Sequence, residues 1–325
     1  MKKALALLLG TGLSAIVLLA SGVGPAAAQL LSEQPENQSG KTGAETVRTC
    51  TRCHDESSEY PVLSILKSKH AVMADGRTPF ADKACASCHG ASLDHMEAVD
   101  DVATRAPPDI VFSKSGPTSK HDQNAVCMDC HKGSARIHWQ GSAHEQQEVG
   151  CVDCHQSHVG DDPVLAKQTQ SDQCFACHKE KRAEIHRPSS HPIREGQVAC
   201  SDCHNPHGSN GPKLLVKSTL NETCYDCHTE KRGPFLWEHQ PVREDCSLCH
   251  KPHGSVHDNL LVTRGPWLCQ QCHLAQFHPS TAYSGTGLPG ASTPSGAQQM
   301  LGKNCLNCHS QIHGSNHPSG VRKTR

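Results

Sequence analysis

The longest apolar stretch of the sequence lies at its start. Lys2 and Lys3 precede an apolar run over residues 4–23, and three alanines follow at 26–28. A positive start, an apolar middle and a small-residue A-x-A end are typical of a secretory signal peptide, so we predict cleavage before Gln29. An uncleaved membrane anchor is the alternative, because the run is close to the roughly 20 residues that span a bilayer. Glycine and serine interrupt the run, which favours cleavage of residues 1–28 and a mature chain in the periplasm.

Beyond this segment the sequence has little periodic apolar pattern. Short helices are predicted over residues 45–54 and 61–73, while Gly, Pro, Ser and Asn punctuate the rest. Residues 280–297 are rich in Gly, Ser, Pro and Thr, and they predict a loop. We therefore expect a mostly irregular chain with short α-helices and little or no β-structure.

The composition explains why ordinary elements are not expected. Hydrophobic residues make up 35% of the 325 residues, but this figure includes the signal segment and all 20 cysteines. Without them roughly a quarter of the mature chain is apolar, against about 45–50% in ordinary soluble proteins. Burial of so few apolar side chains does not offset the entropy lost on folding. The chain is therefore disordered, or another component supplies its core.

Every cysteine belongs to one pattern, C-x-x-C-H, which occurs ten times. The cysteine pairs are Cys50 and Cys53, Cys85 and Cys88, Cys127 and Cys130, Cys151 and Cys154, Cys174 and Cys177, Cys200 and Cys203, Cys224 and Cys227, Cys246 and Cys249, Cys269 and Cys272, and Cys305 and Cys308. The histidines that follow them are His54, His89, His131, His155, His178, His204, His228, His250, His273 and His309. This is the attachment motif of c-type haem: the two thiols form thioethers with the haem, and the histidine is the proximal iron ligand.

Three other chemistries use paired cysteines. An even cysteine count in an exported protein is typical of disulfides, and C-x-x-C also occurs in zinc sites and redox-active dithiols. None of these requires a histidine after every second cysteine, and here the histidine follows all ten pairs with no cysteine left over. The sequence therefore predicts ten covalently bound c-type haems.

Ten haems leave about thirty residues each in the mature chain. The haems must then pack on one another as a linear chain, and they form the hydrophobic core. Removing two lysines of the signal segment leaves 29 Lys and Arg against 32 Asp and Glu, so the mature chain has a net charge of −3 before the haem propionates are counted. We also predict two five-haem halves, residues 29–195 and 196–325, although no linker separates them.

The second axial ligand is predicted from a repeat. Fifteen histidines lie outside the motifs, whereas the chain has only five methionines. Consecutive motifs form five units, here numbered one to five, each with a histidine between its motifs and another shortly behind the second. The predicted distal ligands are His70, His95, His144, His158, His191, His207, His239, His253, His278 and His313. The other five are His121, His138, His186, His257 and His317, and His121 is the alternative to either of the first two.

The ten motifs, the repeated "CHxPHG" turns and the terminal "KNCLNCHSQIHGSNHPSG" resemble the MtrA/PioA/DmsE family of decahaem cytochromes along the whole mature chain. The resemblance implies a narrow haem chain inserted in an outer-membrane β-barrel of the MtrB/PioB type. It also implies periplasmic and cell-surface multihaem cytochromes as partners and no role for nucleic acid. The N-terminal haems would then face periplasmic donors and the haem at Cys305 and Cys308 the exterior.

Three functions are compared. The first is a conduit that carries electrons between the periplasm and the cell exterior, as in iron or other metal reduction or oxidation, and the second is a soluble periplasmic shuttle to a terminal reductase. The third is a multihaem reductase, which needs an open iron position. All ten motifs keep their histidine and spare histidines exceed the need, so an electron carrier without catalytic residues is favoured over an enzyme.

Overall fold

A computed structural model describes residues 42–58, 60–273, 304–318 and 320. The signal segment, the loop predicted at 280–297 and the predicted ligand His278 lie outside the described residues. In the described part the chain is mostly irregular, with short helices and two strands of two residues each, as the sequence predicts. The α-helices are α1 (Gly43–Cys50), α2 (Ala86–His89), α3 (Leu93–Met96), α4 (Lys120–Met128), α5 (Ala143–Gln146), α6 (Lys167–Phe175), α7 (Lys179–Ile185), α8 (Cys200–Cys203), α9 (Leu220–Tyr225), α10 (Gln240–Glu244) and α11 (Trp267–Gln270).

Short segments of 3-10 helix connect these elements. They cover Val62–Lys67, Lys69–Ala71, Pro79–Ala81, Val102–Thr104, Ser134–Arg136, Cys151–Asp153, Pro163–Leu165, Pro212–Leu214, Thr229–Lys231, Cys246–Leu248, Asp258–Leu260 and Cys305–Asn307. Of the helices in the described part, none is long and apolar enough to cross a membrane.

The first motif of each unit lies at the end of a helix. The first cysteine is the last or penultimate residue of α1, α4, α6, α9 and α11. Three of these helices begin at a hydroxyl cap, as Thr42 shows for α1: its N–H donates to the carboxylate of Glu45 at 2.7 Å, and its hydroxyl accepts from the N–H of Glu45 at 3.4 Å. Ser119 and Thr219 accept in the same way at the starts of α4 and α9. Capping makes these short polar helices possible without a large apolar face.

The second motif of each unit occupies a single helical turn, in α2, in α8 or in 3-10 helix. All ten motifs share one hydrogen bond, in which the N–H of the histidine donates to the carbonyl of the first cysteine at 2.8–3.1 Å. Because residues four apart lie on one face of a helical turn, this bond places the histidine on the side of the first cysteine. Each motif therefore has the local geometry that a thioether-bound haem with a proximal histidine needs.

The two strands join unit four to the C-terminal turn. β1 (Trp237–Glu238) pairs antiparallel with β2 (Gly314–Ser315), with Trp237 opposite Ser315 and Glu238 opposite Gly314. Gly314 has a φ of +141°, and a Cβ there would overlap the ring of Phe235. Only glycine fits this position, which directly follows the predicted ligand His313.

Few apolar side chains are buried in the described part. The main apolar cluster contains Phe175, Ile185 and Ile193, with Val198 packed against it. Large apolar side chains remain exposed, among them Val102 at 76% and Leu165 at 73%. The protein side chains thus supply only a small core, as the composition indicates.

Hydrogen bonds cross the boundary expected between the two halves. Ser189 and Ser255 exchange backbone bonds of 3.1 and 2.8 Å, and the side chain of Gln170 bonds Ser201. The division at residues 195 and 196 stays a prediction.

Candidate haem-binding sites

The rings of nine motif histidines lie opposite nine of the predicted distal histidines. The centres of paired rings are 5.9–6.3 Å apart. With the motif histidine first, the pairs are His54 and His95, His89 and His158, His131 and His70, His155 and His207, His178 and His144, His204 and His253, His228 and His191, His250 and His313, and His273 and His239. When two histidines bind one metal ion, each metal–nitrogen bond is about 2 Å long and the ring centre lies a further ~1.1 Å away. The two ring centres are then about 6 Å apart. The gap within each pair therefore fits one iron atom.

The other ring nitrogen, Nδ1, holds nine of these eighteen rings in place through a hydrogen bond. Eight Nδ1 atoms donate to backbone carbonyls at 2.7–3.0 Å, those of His89, His95, His144, His158, His191, His204, His239 and His250. A ninth, that of His155, donates to a carboxylate oxygen of Asp162 at 2.7 Å. Since these oxygens only accept, Nδ1 carries the proton and Nε2 carries the free lone pair. This is the second-shell arrangement usual for metal-bound histidine.

Eight of the nine pairs connect neighbouring units of the repeat, whereas His54 and His95 both belong to unit one. His207 stands directly behind the second motif of unit three, but its ring lies opposite His155 of unit two. His144 of unit two lies opposite His178 of unit three, and its Nδ1 donates to the carbonyl of Pro206 at 2.8 Å. Pro206 immediately precedes His207, so one turn presents one histidine and orients another. Pro252 and Ile312 repeat this arrangement in units four and five.

The remaining histidines lie outside the nine pairs. The side chain of His121 is 87% exposed beside Asp122, whereas His70 and His95 each lie opposite a motif histidine. His138, His186, His257 and His317 also lie outside these pairs. Within the described residues, His, Cys, Asp and Glu form no cluster of three or more that could hold a bare metal ion. The predicted ligand His278 lies outside the described residues, and iron binding by the paired rings stays a prediction.

The cysteines connect successive motifs. All 20 are free of disulfides. The first cysteine of one motif lies within hydrogen-bonding reach of the first cysteine of the other motif in all five units, in the pairs Cys50 and Cys85, Cys127 and Cys151, Cys174 and Cys200, Cys224 and Cys246, and Cys269 and Cys305. The two motifs of each unit therefore lie side by side, and the grouping into five units stays a prediction.

A second set of contacts links neighbouring units. Burial raises the pKa of Cys88, Cys154, Cys203 and Cys249, and the second cysteine of the next unit raises each pKa further through Cys130, Cys177, Cys227 and Cys272. Thioether formation removes these protons, so the lasting feature is the proximity of the sulfur atoms. Each motif therefore lies next to the following one, from the first motif to the tenth.

Burial also sets the charge of several paired rings. It is the main cause that lowers the pKa of His89, His131, His158, His253 and His313. For His207, burial and then the charges of His155, Arg136 and His144 lower the pKa to about 4. These rings are neutral at pH 7, which is the state that binds a metal.

Known proteins share the motifs and most of the chain. Residues 191–233 and 239–277 match the family described as doubled CXXCH motif, and residues 85–171 match the family of the cytochrome c-type protein NrfB-like. The chain is 45% identical over 273 residues to the multiheme cytochrome MtrA of Shewanella baltica (strain OS185), a match that covers 84% of this chain and 79% of that protein. The chain belongs to the MtrA family of multihaem cytochromes. It is thus an electron-transfer cytochrome with covalently bound c-type haems, as the motifs predict.

Two asparagines of this MtrA-family chain were not predicted from the sequence. Asn124 and Asn221 are buried, and each stands three residues before the first cysteine of its unit. Their side-chain oxygens accept from the N–H groups of Cys151 and Cys246, both at 2.8 Å. Each asparagine therefore ties the first motif of its unit to the second. The signal in the sequence is the shared spacing in units two and four.

Two lysine–aspartate pairs also link the helix of the first motif to the second motif, in units two and three. Asp153 accepts from the N–H of Gly150 at 2.7 Å and from Lys120 at 2.9 Å, and Asp202 is bonded in the same way by Ala199 and Lys167. Each lysine stands seven residues before the first motif of its unit, and each aspartate lies inside the second. In unit four, Leu248 stands where units two and three have the aspartate. Lys217 stands where they have the lysine, and it pairs with Asp226 instead.

Proposed function

We propose that this MtrA-family chain holds ten haems and conducts electrons along them across the outer membrane, inside a β-barrel partner. The observation that supports this proposal is the set of nine facing histidine pairs. Two histidines on one iron leave no open position for a substrate, so they favour electron transfer over catalysis. The tenth pair of ligands is then His309, from the last motif, and His278, which the sequence predicts.

The residues of the chain have separable tasks at each site. The two cysteines fix the position of the cofactor, and the facing histidines hold its iron through Nε2. The hydrogen bonds of Nδ1 keep the rings in that orientation. The bound haem supplies a reversible one-electron iron couple.

Continuity follows from the cysteine contacts. Electronic coupling between redox centres falls exponentially with their separation, so a conductor needs each centre close to the next. The first cysteines lie within hydrogen-bonding reach of each other inside units, and the second cysteines interact electrostatically between units. An electron can then pass from motif to motif in sequence order, with no other protein needed between them.

The location is proposed from the family and from the signal segment. A chain exported to the periplasm and beginning at Gln29 would receive electrons from, or give them to, periplasmic cytochromes. The described helices are short and largely polar, and within a membrane a protein sheath would separate their polar surfaces from lipid. A barrel of the MtrB/PioB type supplies the required sheath, and cell-surface multihaem cytochromes are partners at the far end.

A vesicle experiment separates the conduit from a periplasmic shuttle. The cytochrome and its barrel are reconstituted in vesicles that enclose a redox dye, and a membrane-impermeant reductant is added outside. Dye reduction that requires both proteins supports the conduit. A variant with Cys174 and Cys177 replaced by serine lacks one central haem and is expected to conduct much more slowly. A cytochrome that remains fully soluble when the barrel is present would instead establish the shuttle, and carbon monoxide binding to the reduced protein would indicate an open iron and an enzyme.

A further inference from the structure

One motif histidine donates the N–H of its ring to a carboxylate, whereas eight other paired rings donate theirs to backbone carbonyls. The Nδ1 of His155 donates to Oδ2 of Asp162 at 2.7 Å. Eight other rings of the nine pairs donate Nδ1 to backbone carbonyls. Hydrogen bonds to an ionised acceptor are roughly twice as strong as those between neutral groups. His155 is therefore held differently from the rings that occupy the same place in other units.

The repeat makes this difference specific. In units three and four, the equivalent rings of His204 and His250 donate to the carbonyls of Lys213 and Asn259, each nine residues further along the chain. Those two residues adopt the left-handed conformation, with φ of +52° and +55°. In unit two Asp162 stands only seven residues behind His155, and its side chain takes the place of the carbonyl.

The charge of Asp162 is not balanced by a nearby cation. Its other bonds come from the N–H groups of Gln156 and Val164, both at 3.3 Å. Among the described residues, no lysine or arginine lies within 4.0 Å of its carboxylate. The side chain of Asp162 is only 12% exposed, so water screens its charge weakly.

Two other carboxylates approach paired rings, but less closely. Glu184 lies 3.5 Å from Nδ1 of His253 and is bonded to Lys181 at 3.0 Å. Glu230 lies 3.8 Å from Nδ1 of His228 and 3.7 Å from Lys231. In both cases the distance is longer and a lysine offsets the charge.

The ring opposite His155 makes the contribution of Asp162 larger. The Nδ1 of His207 is buried and meets no hydrogen-bond acceptor among the described residues. Asp162 is thus the acceptor that governs the electron density of this pair. A carboxylate pulls the Nδ1 proton towards itself, gives the ring partial imidazolate character and makes it a stronger donor to a bound metal.

We propose that Asp162 gives the haem held by Cys151, Cys154 and His155 a lower reduction potential than it would otherwise have. The negative charge and the stronger donation from His155 both stabilise ferric iron over ferrous iron. The inference rests on the proposed function, in that His155 and His207 are taken as the two ligands of that iron. Asp162 is a positioning residue, because it acts on this fourth haem through the ring of His155.

The test compares two neighbouring charge changes. Asp162→Asn keeps the shape and removes the charge, while Asp161→Asn removes the same charge from an exposed residue one position away. Asp162→Glu keeps the carboxylate and is expected to restore the parent behaviour. Haem content is first measured by intact mass, and each protein is then titrated spectroscopically against potential. We expect one tenth of the haem absorbance to move to a higher potential in Asp162→Asn, with no movement in Asp161→Asn.

Each other outcome has a defined meaning. An Asp162→Asn titration that superimposes on the parent, or an equal shift in Asp161→Asn, overturns the inference. If Asp162→Asn loses haem, the inference is tested on the parent protein by electron paramagnetic resonance of its ferric haems. One low-spin signal with a stronger ligand field is then expected, and its absence overturns the inference. A parent without ten haems, or without bis-histidine spectra, would instead contradict the proposed function.

Discussion

The ring of His207 lies opposite the ring of His155, with 6.0 Å between their centres and 9° between their planes. His204 is much nearer to His207 in the sequence, but its ring lies opposite His253 instead. The short turn between His204 and His207 is closed by hydrogen bonds of Asn205, which direct the two rings away from each other. In units two to five, the histidine just behind the second motif therefore lies opposite a motif histidine of the preceding unit.

This relationship makes the first prediction specific. Replacing His207 by methionine is expected to raise the potential of one haem, because exchange of an axial histidine for methionine raises haem potentials. The affected haem is the one bound to Cys151 and Cys154. The change is measured as a separate step in a spectroscopic redox titration, together with a weak near-infrared band of sulfur ligation.

The matched control for this prediction is His257→Met. His257 lies outside the nine ring pairs, and its backbone N–H donates to the hydroxyl of Ser255 at 3.0 Å. The titration of this variant is expected to superimpose on that of the parent protein. A shift in His257→Met without one in His207→Met would show that the pairing is wrong.

The sequence predicted the inventory of the sites better than their connections. The ten motifs, the five units and the absence of long elements follow from spacing and composition, because one turn of chain fixes a C-x-x-C-H motif. The motif histidine opposite each distal histidine cannot be predicted in this way. It depends on tertiary contacts between units, such as the hydrogen bond from the ring of His144 to the carbonyl of Pro206. Asp162 was not foreseen for the same reason: a carboxylate beside a motif is common, and only the fold places it on His155.

The angles between paired rings predict two classes of haem spectrum. The planes are within 27° of parallel in five pairs, such as His250 and His313, and 67–87° apart in three, such as His70 and His131. Parallel imidazoles split the π-type d orbitals of ferric iron most, and crossed imidazoles split them least. Electron paramagnetic resonance of the oxidised protein should therefore show rhombic low-spin signals and a smaller set with a large maximum g value. A spectrum with only one of the two classes would contradict the ring geometry.

Asn221 is expected to stabilise unit four. Besides accepting from the N–H of Cys246, it donates to the carbonyls of Val242 and Arg243 at 2.9 and 3.1 Å, and the residue is 7% exposed. Removing a buried partner from such a network costs about 2–3 kcal/mol. Asn221→Ala should lower the free energy of unfolding by that amount, measured by denaturant titration of the haem-bound protein. Asn210→Ala, at an exposed residue, should leave the midpoint unchanged, and equal midpoints in the two variants would exclude this role.

Removing the haems should unfold the chain. The apolar cluster of Phe175, Ile185 and Ile193 is small, and isolated helices as short as α6 are marginal in water. Without haem, the facing rings of each pair would also lose the iron that is proposed to join them. A chain produced without haem attachment should therefore exchange its α6 amide hydrogens within seconds and be cut rapidly by proteases, while the haem-bound protein protects both. Slow exchange over residues 167–175 in the haem-free chain would show that the polypeptide folds by itself, and that the haems are not its core.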